Sequence, residues 1–152
     1  DMLRKEYICI TVGRPPQGLH EAYLRHFEKE NKVRVQLQAA PGYKKIITQV
    51  QVPRTCGPYS LCRIGLITGR THQIRAHLAS IGHPIAGDYK YGNRSFNDVL
   101  KKEYGLRSQL LHAYRLEFPE NCEGDIKQLS GKIIKAPVPA LFEQICKAQG
   151  VM

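Results

Sequence analysis

The chain has 152 residues, a length that suits one domain with a sizeable buried core and leaves little room for a second. Its 23 lysines and arginines outnumber 13 acidic residues, and the net charge of +10 points to a polyanion such as nucleic acid, unless the excess serves only solubility. No apolar run approaches the roughly 20 residues of a membrane span and no secretory leader pattern opens the sequence, so we expect a cytoplasmic protein with no membrane partner.

The first predicted element is a strand over residues 4–12, where side chains alternate between two faces. Odd-numbered residues from Tyr7 to Thr11 share one face, and even-numbered residues from Ile8 to Val12 share the other. The glycine- and proline-containing stretch 13–18 ends this strand.

Residues 19–38 are ambiguous. Apolar residues at 19, 23 and 27 have helical spacing, whereas those at 33, 35 and 37 alternate like a strand, with the polar stretch 28–32 between them. A β-hairpin is the favoured interpretation.

Residues 44–52 and 59–67 are rich in β-branched side chains and flank a link over 53–58, which predicts two antiparallel strands. The period then changes to that of a helix, with Ile74, Leu78 and Ile81 forming an apolar stripe. Thr68 or Thr71 is expected to cap this helix, and the glycine and proline at 82 and 84 are expected to end it.

The remainder predicts a second helix over 95–105, a strand over 109–118, a further strand or hairpin over 126–135 and an amphipathic helix over 139–150. Strands outnumber helices and come in runs. The prediction is an α+β fold, a mainly antiparallel mixed sheet flanked by helices, in a single domain over 1–152.

Two features argue against a metal site. The five cysteines are scattered without a Cys-x-x-Cys pair, so reduced and mostly buried thiols are expected. His72 and His77 are five residues apart, and on a helix this spacing turns the two rings about 140° away from each other.

The stretch LITGRTHQIRAHLASIGHPIAGDYKYG, residues 66–92, resembles the signature of the RluA/RluD-type RNA pseudouridine synthases. RKEY at 4–7, KKIITQV at 44–50 and QLLHAYRLEF at 109–118 resemble further family segments in the family's order. This resemblance implies a pseudouridine synthase catalytic domain that isomerises uridine in RNA without a cofactor. Its implied target is RNA, with ribosomal RNA favoured over transfer RNA.

The family's catalytic aspartate belongs to a segment resembling Gly/His-Arg-Leu-Asp-x-x-Thr-Ser-Gly, upstream of the Lys-x-Tyr element. This sequence has no such segment, and its aspartates are Asp1, Asp88, Asp98 and Asp125. We therefore expect the chain to be the C-terminal part of a longer enzyme and inactive alone. The alternative is a basic RNA-binding module without chemistry of its own.

Three catalytic residues follow from the resemblance. Tyr7, in Lys-x-Tyr, is expected to stack on a flipped uracil, and Leu111 to pack beneath base and tyrosine. Arg75, in HQIR, is expected to hold the catalytic aspartate ionised. We predict that all three line one open cavity, and that no Asp or Glu in this chain pairs with Arg75.

Four further residues are expected to contact RNA. Lys5 belongs to the same Lys-x-Tyr element as the tyrosine. Arg70, His72 and Gln73 are predicted in the first turn of the helix, where free N–H groups favour anions. For His72 and Gln73, holding the loop in place is an equally good interpretation.

Overall fold

The computed structural model describes residues 3–70 and 72–152, which build one antiparallel sheet flanked by helices. Its strands run in the spatial order β3-β2-β4-β5-β1-β6-β7. Their bounds are β1 Arg4–Val12, β2 Gly18–Phe27, β3 Lys32–Gln36, β4 Lys44–Cys56, β5 Tyr59–Leu66, β6 Leu111–Glu117 and β7 Ile133–Lys135. The helices are α1 Gln73–Ser80, α2 Arg94–Tyr104 and α3 Ala140–Ala148. The predicted α+β class is confirmed, and every strand pairing in the described residues is antiparallel.

The interior strand β1 separates two parts of the core, as its alternation predicts. Ile10 packs with Leu100 of α2 and Phe142 of α3 on one face of the sheet. Cys9 packs on the other face with Leu78 of α1. Burying one leucine of this kind stabilises the fold by about 1.5–3 kcal/mol, so both faces anchor their helices firmly.

The hairpin interpretation of residues 19–38 is confirmed by strands β2 and β3, which pair antiparallel around a short 3-10 turn at Glu28–Glu30. Ala22 and Leu24 face the core together with Val33. The helix-like spacing at 19, 23 and 27 arose because a separation of four residues returns to the same face in both a strand and a helix.

The link between β4 and β5 is shorter than predicted. β4 continues through Pro53 to Cys56, and the turn occupies only Gly57 and Pro58. Pairing with β5 shifts register between Gln51 and Arg54. The irregularity accommodates a proline, which has no N–H to donate to a ladder.

The C-terminal third matches the prediction in its helices and differs in one segment. Residues 126–135 form neither a full strand nor a hairpin, because a 3-10 helix over Gly124–Leu129 precedes the three-residue strand β7. β7 pairs with β6 at the margin of the sheet. Within the described part of the chain, no helix is long and apolar enough to cross a membrane.

A buried histidine connects α1 to the sheet. His77 is 2% exposed, and its Nδ1 lies 2.7 Å from the hydroxyl oxygen of Thr48 on β4. Burial, followed by the nearby His20, lowers the pKa of His77 from 6.5 to about 4. The ring is therefore neutral in the folded protein at neutral pH.

This lowered pKa predicts acid sensitivity. His77 takes up a proton near pH 6.5 in the unfolded chain but only near pH 4 in the folded chain. Its contribution to the free energy of unfolding is therefore complete above pH 6.5 and is lost as the pH falls towards 4. Between pH 7 and 5 we expect a loss of about 2 kcal/mol, measured by urea unfolding. His77→Gln should remove this part of the pH dependence, and the same substitution at His112 should not. An unchanged pH profile in His77→Gln would contradict the assignment.

Candidate active site

Tyr7 lies on the interior strand β1. It lies opposite Ile64 of β5 and Ala113 of β6, and the pairing with β6 shifts register between Glu6 and Tyr7. An irregularity of this kind within a ladder can re-aim a side chain. Leu111 begins β6 opposite Cys9, two residues from Tyr7 on the same face of β1. The sheet thus brings together two side chains about a hundred residues apart in sequence.

These two side chains line a cavity together with residues from the loop before α1 and from the first turn of α1. The cavity measures about 330 Å³ and is lined by Tyr7, Leu66, Arg70, His72, Gln73, Ile74, Arg75, Gln109 and Leu111. The predicted convergence of the tyrosine, the arginine and the leucine is confirmed. The volume falls at the lower end of the range typical of small-ligand pockets, which suits one nucleotide base with its sugar.

Lys5 lies outside this main cavity. It lines an adjoining one of about 260 Å³, together with Leu3, Tyr7, Leu66, Ile67, Thr68, Gly69 and Arg70. Tyr7, Leu66 and Arg70 border both cavities. A ligand in the main cavity can therefore extend past the tyrosine towards the lysine.

Arg75 corrects one prediction, because it has a carboxylate partner within the chain. Its Nε donates to Asp88 Oδ2 at 2.8 Å, and its Nη2 donates to Asp88 Oδ1 at 3.0 Å. Asp88 is fully buried and the arginine side chain is 15% exposed. The partner escaped sequence reasoning because it follows 13 residues later, where the chain turns back along the helix after Gly82.

Both oxygens of the Asp88 carboxylate accept hydrogen bonds from within the chain. Besides Arg75, its Oδ1 accepts the backbone N–H groups of Lys90 and Tyr91, both at 3.0 Å. A fully buried carboxylate with these four hydrogen bonds has no oxygen facing a ligand in the cavity. Asp88 therefore orients the arginine.

Arg75 still has N–H groups that can donate to a ligand in the cavity. A guanidinium carries five N–H groups, and the bidentate pair with Asp88 uses two of them. The hydrogen bonding of Arg75 to the Asp88 carboxylate is the main cause that raises the pKa of Arg75. Its Cζ also lies 5.2 Å from the centre of the Tyr91 ring. The arginine is thus fixed from two sides while it borders the cavity.

The sequence comparisons agree with this geometry. A family model described as RNA pseudouridylate synthase matches residues 1–80. The chain belongs to this family.

The pseudouridylate synthase relatives match most of this chain. It is 34% identical to an uncharacterized RNA pseudouridine synthase of Chloroflexus aurantiacus over 91% of its length, covering 40% of that protein. It is 35% identical to the ribosomal large subunit pseudouridine synthase D of Haemophilus ducreyi over 96% of its length, covering 45% of that protein. The chain therefore spans less than half the length of these relatives.

Two solved structures share the pseudouridylate synthase fold. Human RNA pseudouridylate synthase domain containing 4 has a TM-score of 0.72 at 24% identity, with 97% of this chain and 62% of that chain covered. Human RNA pseudouridylate synthase domain containing 1 has a TM-score of 0.62 at 21% identity, with coverages of 99% and 66%. At these identities the likeness concerns the fold.

The start of α1 differs from the prediction that Arg70, His72 and Gln73 all lie in its first turn. α1 begins only at Gln73, so Arg70 precedes the helix and His72 is its cap, in the left-handed region with φ 53°. Thr68 does not cap the helix, because its hydroxyl donates to the Gln73 side chain at 2.8 Å. Thr71, the other expected cap, lies outside the described residues. The basic side chains here are therefore presented by a loop.

Gln73 holds that loop against β4. Its Oε1 accepts from the Thr68 hydroxyl and from the Arg70 N–H, and its Nε2 donates to Ile47 O and to Thr48 Oγ1. With a side chain 2% exposed and all four hydrogen-bonding positions filled, it has nothing left to offer RNA. Of its two predicted roles, the structure supports loop anchoring.

His72 keeps one edge at the cavity. Its Nδ1 lies 2.8 Å from the hydroxyl of Tyr91, and the two rings meet edge to face at 5.6 Å. Burial, followed by the charges of Arg75 and Lys90, lowers the pKa of His72. Tyr91 and Asp88, which fix the two cavity side chains His72 and Arg75, were not predicted as site residues, although both lie in the 66–92 signature.

No carboxylate lines the main cavity among the described residues. Asp88 is committed to Arg75, Asp98 accepts from the hydroxyl of Tyr89 at 3.0 Å, and Asp125 lies in the distant 3-10 helix. Asp1 is outside the described part of the chain. The cavity thus offers aromatic, apolar and cationic walls.

Proposed function

We propose that a protein containing this chain isomerises uridine to pseudouridine in RNA, without a cofactor. The observation that carries the proposal is the convergence of Tyr7, Arg75 and Leu111 on one cavity of about 330 Å³. Membership of the RNA pseudouridylate synthase family supplies the reaction type.

The reaction breaks the bond between uracil nitrogen and ribose, rotates the base, and forms a bond from a uracil carbon to the same ribose carbon. The base must leave the RNA stack to reach the enzyme, and a flipped base needs an aromatic or apolar surface on each face. Tyr7 and Leu111 can provide these surfaces. The phenol of Tyr7 is also the proposed group that handles the proton lost from the carbon that forms the new bond.

The reaction also needs an oriented carboxylate, which we assign to an Arg-Leu-Asp segment outside this chain. On this view residues 1–152 form the C-terminal part of one catalytic domain. Arg75 uses two donors on Asp88, and its remaining donors can grip the second carboxylate. Because Asp88 already balances its charge, Arg75 acts on the second carboxylate chiefly by directed hydrogen bonds.

The RNA contacts proposed are Arg70 and Lys5, which border the adjoining cavity, and His72 in the main one. Ribosomal RNA is the proposed substrate over transfer RNA, because curated relatives are named ribosomal large subunit pseudouridine synthases. The proposed location is the cytoplasm.

The test compares two proteins. The 152-residue chain alone should form no pseudouridine in a ribosomal RNA transcript, since the transition state needs an oriented carboxylate and none lines this cavity among the described residues. A longer protein with the Arg-Leu-Asp segment should form it, and its Asp→Asn variant should bind RNA but not react. Nucleoside chromatography of the digested RNA measures both. Turnover by the chain alone, or none by the longer protein, would contradict the proposal.

One observation favours a second candidate, a basic RNA-binding module without catalysis. The cavity has no carboxylate in the described residues, and the net charge of +10 suits RNA. A module of this kind should bind RNA tightly by itself, with an affinity that falls steeply with salt. Weak binding by the chain alone would exclude it.

A further inference from the structure

The hydroxyl of Tyr91 has one partner whose role is unambiguous. The backbone N–H of Val33 donates to it at 3.0 Å. Val33 belongs to β3, the outermost strand of the sheet, so this N–H points away from β2. An amide N–H has no lone pair to offer. Tyr91 is therefore an acceptor in this bond and still has its own proton to donate.

The proton of Tyr91 has its acceptor in His72. The His72 Nδ1 lies 2.8 Å from the hydroxyl, and within the described residues no other acceptor is bonded to it. If Nδ1 were instead protonated, the phenol would receive two donors, and its own proton would lose a hydrogen bond in a partly buried place. The better arrangement has Nδ1 as the acceptor, which puts the proton of the neutral imidazole on Nε2.

The imidazole of His72 is held in place by its backbone as well. Its φ of 53° is unusual for a residue other than glycine and costs roughly 1–2 kcal/mol. The carbonyl of the same residue accepts the first helical N–H of α1, from Ala76 at 3.0 Å. Backbone strain of this kind persists where surrounding contacts enforce the conformation, and it is common at functional sites. In the described residues Nε2 has no hydrogen-bond partner, and His72 borders the cavity.

We propose that Tyr91 is a positioning residue that fixes His72 as an Nε2–H donor, aimed at an acceptor oxygen of the nucleotide bound in the cavity. The nature of that ligand rests on the proposed function. The oxygen belongs to a uracil carbonyl, a ribose or a phosphate, all of which accept the same bond.

The segment that carries Tyr91 also positions Arg75. The Tyr91 N–H donates to Asp88 Oδ1, the same carboxylate that grips Arg75, and the Tyr91 ring lies beneath the guanidinium. One short turn thus fixes two of the polar side chains of the main cavity, His72 and Arg75. This explains why an aspartate and a tyrosine in the signature face away from the ligand.

The first test measures the tautomer directly on this chain. Nitrogen-15 chemical shifts of the His72 ring should show Nε2 protonated and Nδ1 free at neutral pH. Tyr91→Phe, which keeps the ring beneath Arg75, should move them towards a mixture of tautomers. Tyr89→Phe is the matched control, since this hydroxyl two residues away bonds Asp98. A protonated Nδ1 in the unaltered chain would overturn the proposal.

The second test measures function. Tyr91→Phe should lower turnover of the longer enzyme about tenfold, roughly what one hydrogen bond is worth, while Tyr89→Phe leaves it unchanged. His72→Gln should keep most activity, because the glutamine amide reaches the Nε2 position. His72→Asn reaches only the Nδ1 position and should lose it. In the His72→Gln background, Tyr91→Phe should have little further effect.

The two tests separate this inference from the proposed function. If the longer protein forms no pseudouridine, the proposed function fails, and the affinity of this chain for a uridine-containing oligonucleotide becomes the readout. Affinity should then fall in Tyr91→Phe and His72→Asn but not in Tyr89→Phe. Equal effects of the two His72 substitutions, or additive effects of Tyr91→Phe and His72→Gln, would overturn the positioning role.

Discussion

In a protein that carries this chain together with the Arg-Leu-Asp segment, Arg75→Lys is expected to lower turnover about 100-fold. The guanidinium has donors for Asp88 and for a second carboxylate at the same time, whereas one ammonium cannot reproduce that planar grip. Hydrogen bonds between charged groups are worth about 1.5–3 kcal/mol, and each 1.4 kcal/mol is tenfold in rate. The measurement is single-turnover formation of pseudouridine.

Stability distinguishes this effect from misfolding. A lysine at position 75 can still offer a positive charge to Asp88, so the unfolding free energy should change by only about 1 kcal/mol. Arg115→Lys is the matched control, because that arginine pairs with Glu6 and Glu117 and lies outside the main cavity. Near-normal turnover with weakened RNA affinity would instead make Arg75 a phosphate contact.

The sequence predicted those parts of the fold in which local pattern and tertiary packing agree. The alternation of β1 correctly separated Cys9 from Ile10, because both faces of that strand are buried against helices. The apolar stripe of α1 was also predicted correctly, since Ile74 and Leu78 both lie in the core. The common cavity of Tyr7 and Leu111 could be predicted only through the family resemblance, since strand pairing sets it.

Two of the errors lie where side-chain hydrogen bonds replace regular backbone bonding. The start of α1 was placed too early because the Gln73 side chain, and not a threonine, satisfies the loop before it. The partner of Arg75 was missed because Asp88 follows a turn whose path no periodicity encodes. Both cases concern polar networks in the signature segment, where the residues serve the site and the core at once.

Asp88→Asn is expected to be the most damaging conservative substitution for stability, lowering the unfolding free energy of this chain by about 3–5 kcal/mol. The carboxylate is fully buried, and its partner Arg75 is only 15% exposed. Asparagine keeps an oxygen for the N–H groups of Lys90 and Tyr91, but it presents an NH₂ group or a neutral oxygen to a charged guanidinium. Urea unfolding at neutral pH measures the loss.

Two variants show whether the loss comes from the unpaired charge of Arg75. Asp98→Asn, at an exposed carboxylate that accepts one hydrogen bond from the Tyr89 hydroxyl, should change the free energy of unfolding by less than about 0.5 kcal/mol. Arg75→Met combined with Asp88→Asn should be more stable than Asp88→Asn alone, because removing the second member of a buried pair relieves the desolvated charge that the first leaves behind. If the double variant is instead as unstable as the sum of the two single ones, the loss comes from packing of the 88–91 turn, and Asp88 acts on Arg75 through shape rather than charge.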